Sequence, residues 1–156
     1  VEPGLVTRCA EILDAAKERG VRVLLPADHV AAPAIDEEKN ISTVSADAFP
    51  DGLSAFDIGP ETTRAYSAVA AASRTIFWNG PMGVFEKAAF AEGTLALARA
   101  VAASPALSVI GGGDSVSAVH KAGVAGQISH ISTGGGASLE LLAGRTLPGL
   151  EVLTKR

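Results

Sequence analysis

One cysteine, one tryptophan, one tyrosine and one methionine stand among 156 residues, and basic side chains are outnumbered by acidic ones, 13 to 17. Each scarcity excludes something. Cys9 alone can form neither an intrachain disulfide nor a cysteine zinc site, and a single thiol suits a reducing, cytoplasmic setting. A net charge of -4 offers no basic footprint for a phosphate backbone or an anionic lipid surface, and one Trp, one Tyr and five Phe are too few for a base-stacking platform. No nucleic acid and no membrane is therefore expected as a partner. No apolar run approaches the ~20 residues of a membrane span, and the opening VEPGLVTRC lacks the basic segment followed by an apolar one that a secretion signal requires. What the sequence does have is 47% hydrophobic residues and 17 glycines. That composition describes one soluble globular unit, long enough to bury about two thirds of its unfolded surface without staples. The first residue is Val and helical periodicity begins within a few residues, so the chain reads as a fragment or a processed piece.

Leu5, Val6, Cys9, Ile12, Leu13 and Ala16 recur at helical spacing up to Gly20, a residue suited to a left-handed cap. Val21 to Pro26, VRVLLP, then reads as a buried strand. Residues 27 to 52 read as a long polar connection with one weak alternating stretch, Ile41 to Ala46. Ala55 to Ile58 is a further strand, and Pro60 with Glu61 opens a helix running to about Ser73. Thr75 to Trp78 is a strand ended by the turn Asn79-Gly80-Pro81, followed by an Ala-rich helix from about Glu86 to Ala103. Leu107 to Ile110 leads into Gly111-Gly112-Gly113, with Asp114 and Ser115 opening a helix. Ile128 to Ser132 leads through Thr133 into Gly134-Gly135-Gly136, with Ser138 to Leu142 helical. The triplets lie 23 residues apart, about one βα unit. Strands alternating with helices predict an α/β fold: a doubly wound, Rossmann-like, mainly parallel sheet with helices on both faces. Ligands of such sheets bind beyond the carboxyl ends of the strands, where both triplets and the NGP turn fall.

Strand, glycine triplet, helix is an anion-binding arrangement, because glycine lets backbone approach a ligand and a helix start presents unpaired N–H groups. The same glycines also serve as simple tight turns. Named glycine signatures fail: Val116 stands where GxGxxG needs its third glycine, and no GK pair exists for a Walker loop. Asp114 is either an N-cap or, beside a phosphate cradle, a ligand for Mg2+ bridging phosphate oxygens, with Ser115 adding a hydroxyl. Glu86 by itself is a favourable first-turn charge. Gly113-Asp114-Ser115-Val116-Ser117 approaches a nucleophile elbow but misses its second glycine, and His120 sits too close in sequence to act as the base, which disfavours serine hydrolysis. His29, His120 and His130 have no metal-ligand spacing.

Taken together, DIGPET (Asp57 to Thr62), FWNGPMGVFE (Phe77 to Glu86), VIGGGDSVSAV (Val109 to Val119) and HISTGGGASLELLAGRTLPG (His130 to Gly149) resemble phosphoglycerate kinase. The resemblance spans the whole chain but rather less than half of the family's length. It implies a partial carboxyl-terminal nucleotide-binding domain over residues 1 to 156, with 145 to 156 as its C-terminal tail, and a missing N-terminal domain that binds 3-phosphoglycerate or 1,3-bisphosphoglycerate. ATP/ADP and Mg2+ are the implied cofactors, and the full enzyme is expected to be a cytoplasmic monomer of glycolysis. By the same resemblance Gly112, Gly113, Asp114 and Ser115 contact nucleotide phosphates, with Asp114 the Mg2+ ligand. Glu86 bonds the ribose, Asn79 and Pro81 run along the nucleotide, and Val84 lies against the adenine. Ala55 and Phe56 stand where the family has a glycine and an apolar residue near the base, so Ala55 is a departure. Gly134, Gly135 and Gly136 face the transferring phosphoryl group, and Ser132 and Thr133 lie in the hinge segment. The family's phosphate-binding lysines and arginine-rich substrate domain have no counterpart in these residues, so the chain alone is expected not to turn over. The alternative is a non-catalytic module binding nucleotide or a partner. A doubly wound sheet lacking strands also predicts self-association or partial disorder, which a cleanly monomeric chain with a cooperative melt would contradict.

Overall fold

The computed structural model describes residues 2 to 154. Helix α1 (Val6–Glu18) comes after a 3-10 turn at Pro3–Leu5, and Gly20 leaves it with φ +66. Strands β1 (Asp28–Ala32), β2 (Ser42–Ser45) and β3 (Ser54–Ile58) form one three-stranded sheet in the order β2-β1-β3, with both pairings antiparallel. Helix α2 (Pro60–Ala72) leads to β4 (Thr75–Asn79), α3 (Glu92–Ala103), β5 (Leu107–Gly111), α4 (Gly113–Lys121) and β6 (His130–Ser132). These last strands form a second sheet, β4-β5-β6, parallel throughout. Helices α5 (Gly135–Leu142) and α6 (Pro148–Thr154) close the described chain. The expected C-terminal tail thus contains α6.

Alternation along β4 and β5 decides where the core sits. Trp78 and Ile110 turn to the face covered by α3 and α4, joining Ala98, Val101, Ala118 and Val119 in one buried cluster with Ala70 of α2. Right-handed crossovers place both helices on the same face of a parallel sheet, and α3 packs on α4. The parallel α/β unit expected from the alternating pattern is therefore present. It is built from three strands, while the antiparallel sheet was not foreseen as such.

Three boundaries differ from those expected, two of them for a tertiary reason. Val21 to Pro26 joins no sheet among the described residues, and Val21 and Leu25 are 58% and 67% exposed. The paired strand is β1, inside the stretch read as polar connection. Its first residue, Asp28, is buried because its carboxylate caps α2: Oδ1 accepts from the Thr62 N–H (2.8 Å) and hydroxyl (2.7 Å), and Oδ2 from the Glu61 N–H (2.9 Å). The Ala-rich helix begins at Glu92 rather than Glu86. Residues before it are drawn onto β3 instead, with the Val84 N–H donating to the Phe56 carbonyl at 2.8 Å. Helix α5 begins inside the second glycine triplet, at Gly135, rather than at Ser138.

β4 is an edge strand in its sheet. An open apolar cleft of about 300 Å³, lined by Tyr66, Ile76, Phe77, Trp78 and Leu97, runs beside it. The Tyr66 hydroxyl donates to the Leu24 carbonyl at 3.0 Å, so α2 holds the unpaired Val21 to Pro26 segment. No helix among the described residues is long and apolar enough to cross a membrane.

Candidate functional site

The parallel register brings the ends of three strands level. Asn79 pairs with Gly111, and Gly111 with Ser132, so the NGP turn and both glycine runs leave the sheet at one carboxyl edge. The Gly112 N–H extends this ladder to the Ser132 carbonyl at 3.2 Å. Gly112 has φ +89, a conformation that side chains resist. Gly135 is tighter still: a Cβ there would lie 2.6 Å from the Gly112 Cα and 2.8 Å from Asn79 Oδ1. The two glycine runs therefore pack backbone against backbone, with the Asn79 amide beside them.

Both helices that leave this edge begin within the glycine runs. The α4 ladder opens with the Val116 N–H donating to the Gly112 carbonyl (3.0 Å), and that of α5 with the Ser138 N–H donating to the Gly134 carbonyl (3.0 Å). Helix geometry leaves the preceding amides, of Gly113 to Ser115 and of Gly135 to Ala137, without intrahelical acceptors. Asp114 is exposed in the first turn of α4, and no hydrogen bond or ion pair occupies its carboxylate among the described residues. Ser115 differs from expectation in its setting. It is buried, and its Oγ accepts from the Gly80 N–H at 2.6 Å, which leaves its hydroxyl proton and one lone pair. The Trp78 indole donates to the Gly80 carbonyl at 2.6 Å, fixing the other side of the same turn. No histidine is hydrogen-bonded to Ser115 among the described residues.

A second cleft, open and of about 310 Å³, lies where β3 meets the segment after Pro81 and is lined by Pro26, His29, Ala55, Phe56, Met82 and Val84. Ala55, Phe56 and Val84, the residues that the family resemblance implies near the base, are thus brought together. Thr94 of α3 accepts from the Met82 and Gly83 N–H groups at 3.0 and 3.2 Å. Beneath them Asp57 is buried: Oδ1 accepts from the Ile58 N–H (2.9 Å) and Oδ2 from the Gly93 N–H (2.7 Å), which caps the start of α3. Burial pushes the Asp57 carboxyl above its ordinary value, against those two bonds. At Gly83 a Cβ would fall 2.4 Å from Asp57 Oδ1. Glu86 stands exposed after this segment, and Lys87 beside it pairs with Asp36 at 2.6 Å, which raises the lysine's pKa.

Asp28, Asp57, Thr94 and Lys121 escaped the sequence reading. A lone Asp inside the apolar run Ala55 to Ile58 was the available signal for Asp57; nothing local marks the others.

The three loops carry two carboxylates, Asp114 and Glu86, and no cation: residues 79 to 86, 111 to 115 and 132 to 137 contain neither Lys nor Arg. The donor set suits Mg2+ delivered with a polyphosphate, since that ion takes one or two carboxylates and completes its shell with water and phosphate oxygens. No cluster of three or more His, Cys, Asp or Glu able to hold a metal exists among the described residues, so such an ion would depend on the ligand that carries it.

The chain resembles known proteins along almost its whole length. The family profile described as phosphoglycerate kinase matches residues 1 to 145. The phosphoglycerate kinase of Moorella thermoacetica is 53% identical over 156 residues, covering 100% of this chain and 40% of that protein. That of Roseiflexus castenholzii is 54% identical over 153 residues, covering 98% and 39%. Among solved structures, phosphoglycerate kinase from Coxiella burnetii superposes with a TM-score of 0.93 at 41% identity, over 99% of this chain and 40% of that one. The Pyrococcus horikoshii enzyme gives 0.80 at 37% identity, over 97% and 36%. The chain thus spans about 40% of the length of the relatives it matches.

Proposed function

Because the chain belongs to the phosphoglycerate kinase family, we propose that it forms the Mg-nucleotide half of an enzyme that transfers a phosphoryl group reversibly between 1,3-bisphosphoglycerate with ADP and 3-phosphoglycerate with ATP, in cytoplasmic glycolysis. The observation that carries this is the common carboxyl edge, where Asn79, Gly111 and Ser132 stand in register and two helix starts open beside them. Nucleotide phosphates lie against the amides of Gly112 to Ser115, and the Asp114 carboxylate holds Mg2+. That ion, when bound, neutralises phosphate charge as it shifts during transfer. Val84 packs on the base, Glu86 accepts from the ribose, and Asn79 and Pro81 line the path between. The amides of Gly134 to Gly136 receive the transferring group. Phosphoryl transfer asks the protein for in-line positioning and charge neutralisation rather than covalent help.

The loops themselves contribute two negative charges and no positive one, so phosphate neutralisation must be completed by cations outside these residues. The remaining part of the enzyme supplies them together with the phosphoglycerate site, and the two parts act as a monomer. Residues 1 to 156 are then a partial carboxyl-terminal domain, with 145 to 156 its tail.

The test is a titration with Mg-ADP monitored through Trp78, whose indole is bonded to the Gly80 carbonyl of the site. Saturable binding is expected, weakened at least tenfold by Asp114→Ala or by removing Mg2+, alongside no phosphoglycerate-dependent turnover. Binding indifferent to both changes, or turnover by the chain alone, would refute the reading.

A second reading, a non-catalytic module that docks on a partner, is favoured by apolar exposure on α5 and α6, where Leu142 and Val152 are 64% and 76% exposed. It predicts that joining the chain to the remaining part of the Moorella thermoacetica relative restores no turnover. The kinase reading predicts that it does.

A further inference from the structure

Helix α4 touches the segment Gly80 to Glu86 at both of its ends. At the first turn Ser115 holds the Gly80 N–H. At the last, six residues and about 9 Å further along the axis, the Lys121 ammonium donates to the Phe85 carbonyl at 2.5 Å and stands 5.7 Å from the centre of the Phe85 ring. Phe85 is buried in the core cluster that α4 itself covers. The middle of the segment is held from the other side, by Thr94 at Met82 and Gly83 and by Phe56 at Val84.

The Phe85 carbonyl matters because Glu86 is the next residue. A peptide unit is planar, so fixing that oxygen fixes the plane in which the Glu86 Cα lies. The turn is otherwise closed by bonds from the Phe85 N–H to the Gly83 carbonyl (2.9 Å) and from the Lys87 N–H to the Val84 carbonyl (3.1 Å). Neither constrains the Phe85 oxygen. Arg8, Lys87 and Arg99 pair with surface carboxylates, whereas Lys121 has no carboxylate partner among the described residues and directs its charge to this carbonyl and ring. A charge-assisted bond of this kind is stronger than a neutral one.

We propose that Lys121 is a positioning residue for the nucleoside end of the site: by holding the Phe85 carbonyl it aims Glu86 at the ribose and ties that aim to the helix bearing Asp114. The proposal rests on the nucleotide reading above. It also separates two tasks on one helix, with the first turn of α4 facing phosphates and the last turn setting ribose recognition.

The experiment compares binding of Mg-ADP and Mg-2′,3′-dideoxy-ADP, by calorimetry, to the whole chain and to its Lys121→Met, Lys121→Arg and Glu86→Gln variants. Methionine keeps the apolar stem over Phe85 and removes the donor. The unaltered chain should prefer Mg-ADP about tenfold, as expected for hydrogen bonds to a carboxylate. Lys121→Met should reduce that preference to about twofold, as should Glu86→Gln, while Lys121→Arg retains most of it. A preference unchanged in Lys121→Met, including the case where both affinities fall by the same factor, would overturn the proposal, because a merely structural lysine affects both ligands alike. Binding without ribose preference in the unaltered chain would overturn the ribose roles of both Lys121 and Glu86 and leave the phosphate end of the reading standing. Failure of the unaltered chain to bind Mg-ADP at all would instead remove the nucleotide reading, and the proposal with it.

Discussion

At the scale of single residues, the site is defined as much by missing atoms as by functional groups. Gly135 sits where any side chain would enter the Gly112 backbone, so Gly135→Ala must push the two glycine runs apart. The expected cost is about 1 to 3 kcal/mol of stability, the usual penalty for overpacking, with loss of Mg-nucleotide binding. Chemical denaturation and the Trp78 titration measure the two effects. Gly136, beside which nothing lies within 4 Å, is the control: its alanine variant should leave stability within about 0.5 kcal/mol. The glycine-rich character of both turns was plain in the sequence. Which glycine is indispensable was not, because that depends on a neighbour 23 residues away in the chain.

At the scale of elements, two helices are started by carboxylates from other strands. Asp28 of β1 caps α2, and Asp57 of β3 caps α3. Their titrations have opposite signs. Burial raises the Asp28 carboxyl, but hydrogen bonds from Thr62 and Glu61, helped by Arg64, outweigh it and leave the group below the ordinary 3.8. Its stabilisation is complete above 3.8 and is lost as pH falls through the lower folded value. Asp57 lies above 3.8, so its contribution is complete below that pH and is lost as pH rises through the folded value. Urea unfolding across the acid range should therefore show Asp28→Ala destabilised by about 2 kcal/mol at neutral pH, from lost charge-assisted caps. That deficit should shrink below 3.8; a deficit independent of pH would contradict the capping role. These caps also explain what the sequence concealed. Helices α2 and α4 and strands β4 and β5 were legible because short turns bound strong periodic or apolar runs. The start of α3 was not, since a carboxylate on β3 selects Glu92 over Glu86. Nor was β1, whose polar first residue is buried only because α2 needs a cap. VRVLLP has the composition of a strand, but composition cannot tell whether a neighbouring strand is there to pair with it.

At the scale of the whole molecule, a parallel three-stranded sheet aligns three loops, and α4 fastens two of them through Ser115 and Lys121. The antiparallel sheet contributes Ala55 and Phe56 to the open cleft beside Val84, the one proposed above for the base. Apolar side chains of α1, α5 and α6 and of Val21 to Leu25 remain exposed, as suits a body that packs against further polypeptide. The motifs made both glycine runs legible; that α4 is tied to Gly80 and to Phe85 is a tertiary fact. The measurement that tests the account most directly is an amide-resolved NMR titration of the chain with Mg-ADP. Saturable shifts are expected at Gly112 to Ser115 together with Val84 to Glu86, both groups tracing one binding curve and both greatly reduced in Asp114→Ala. Shifts confined to other surfaces, such as the acidic loop Asp36 to Asn40, or two groups titrating with different affinities, would contradict it.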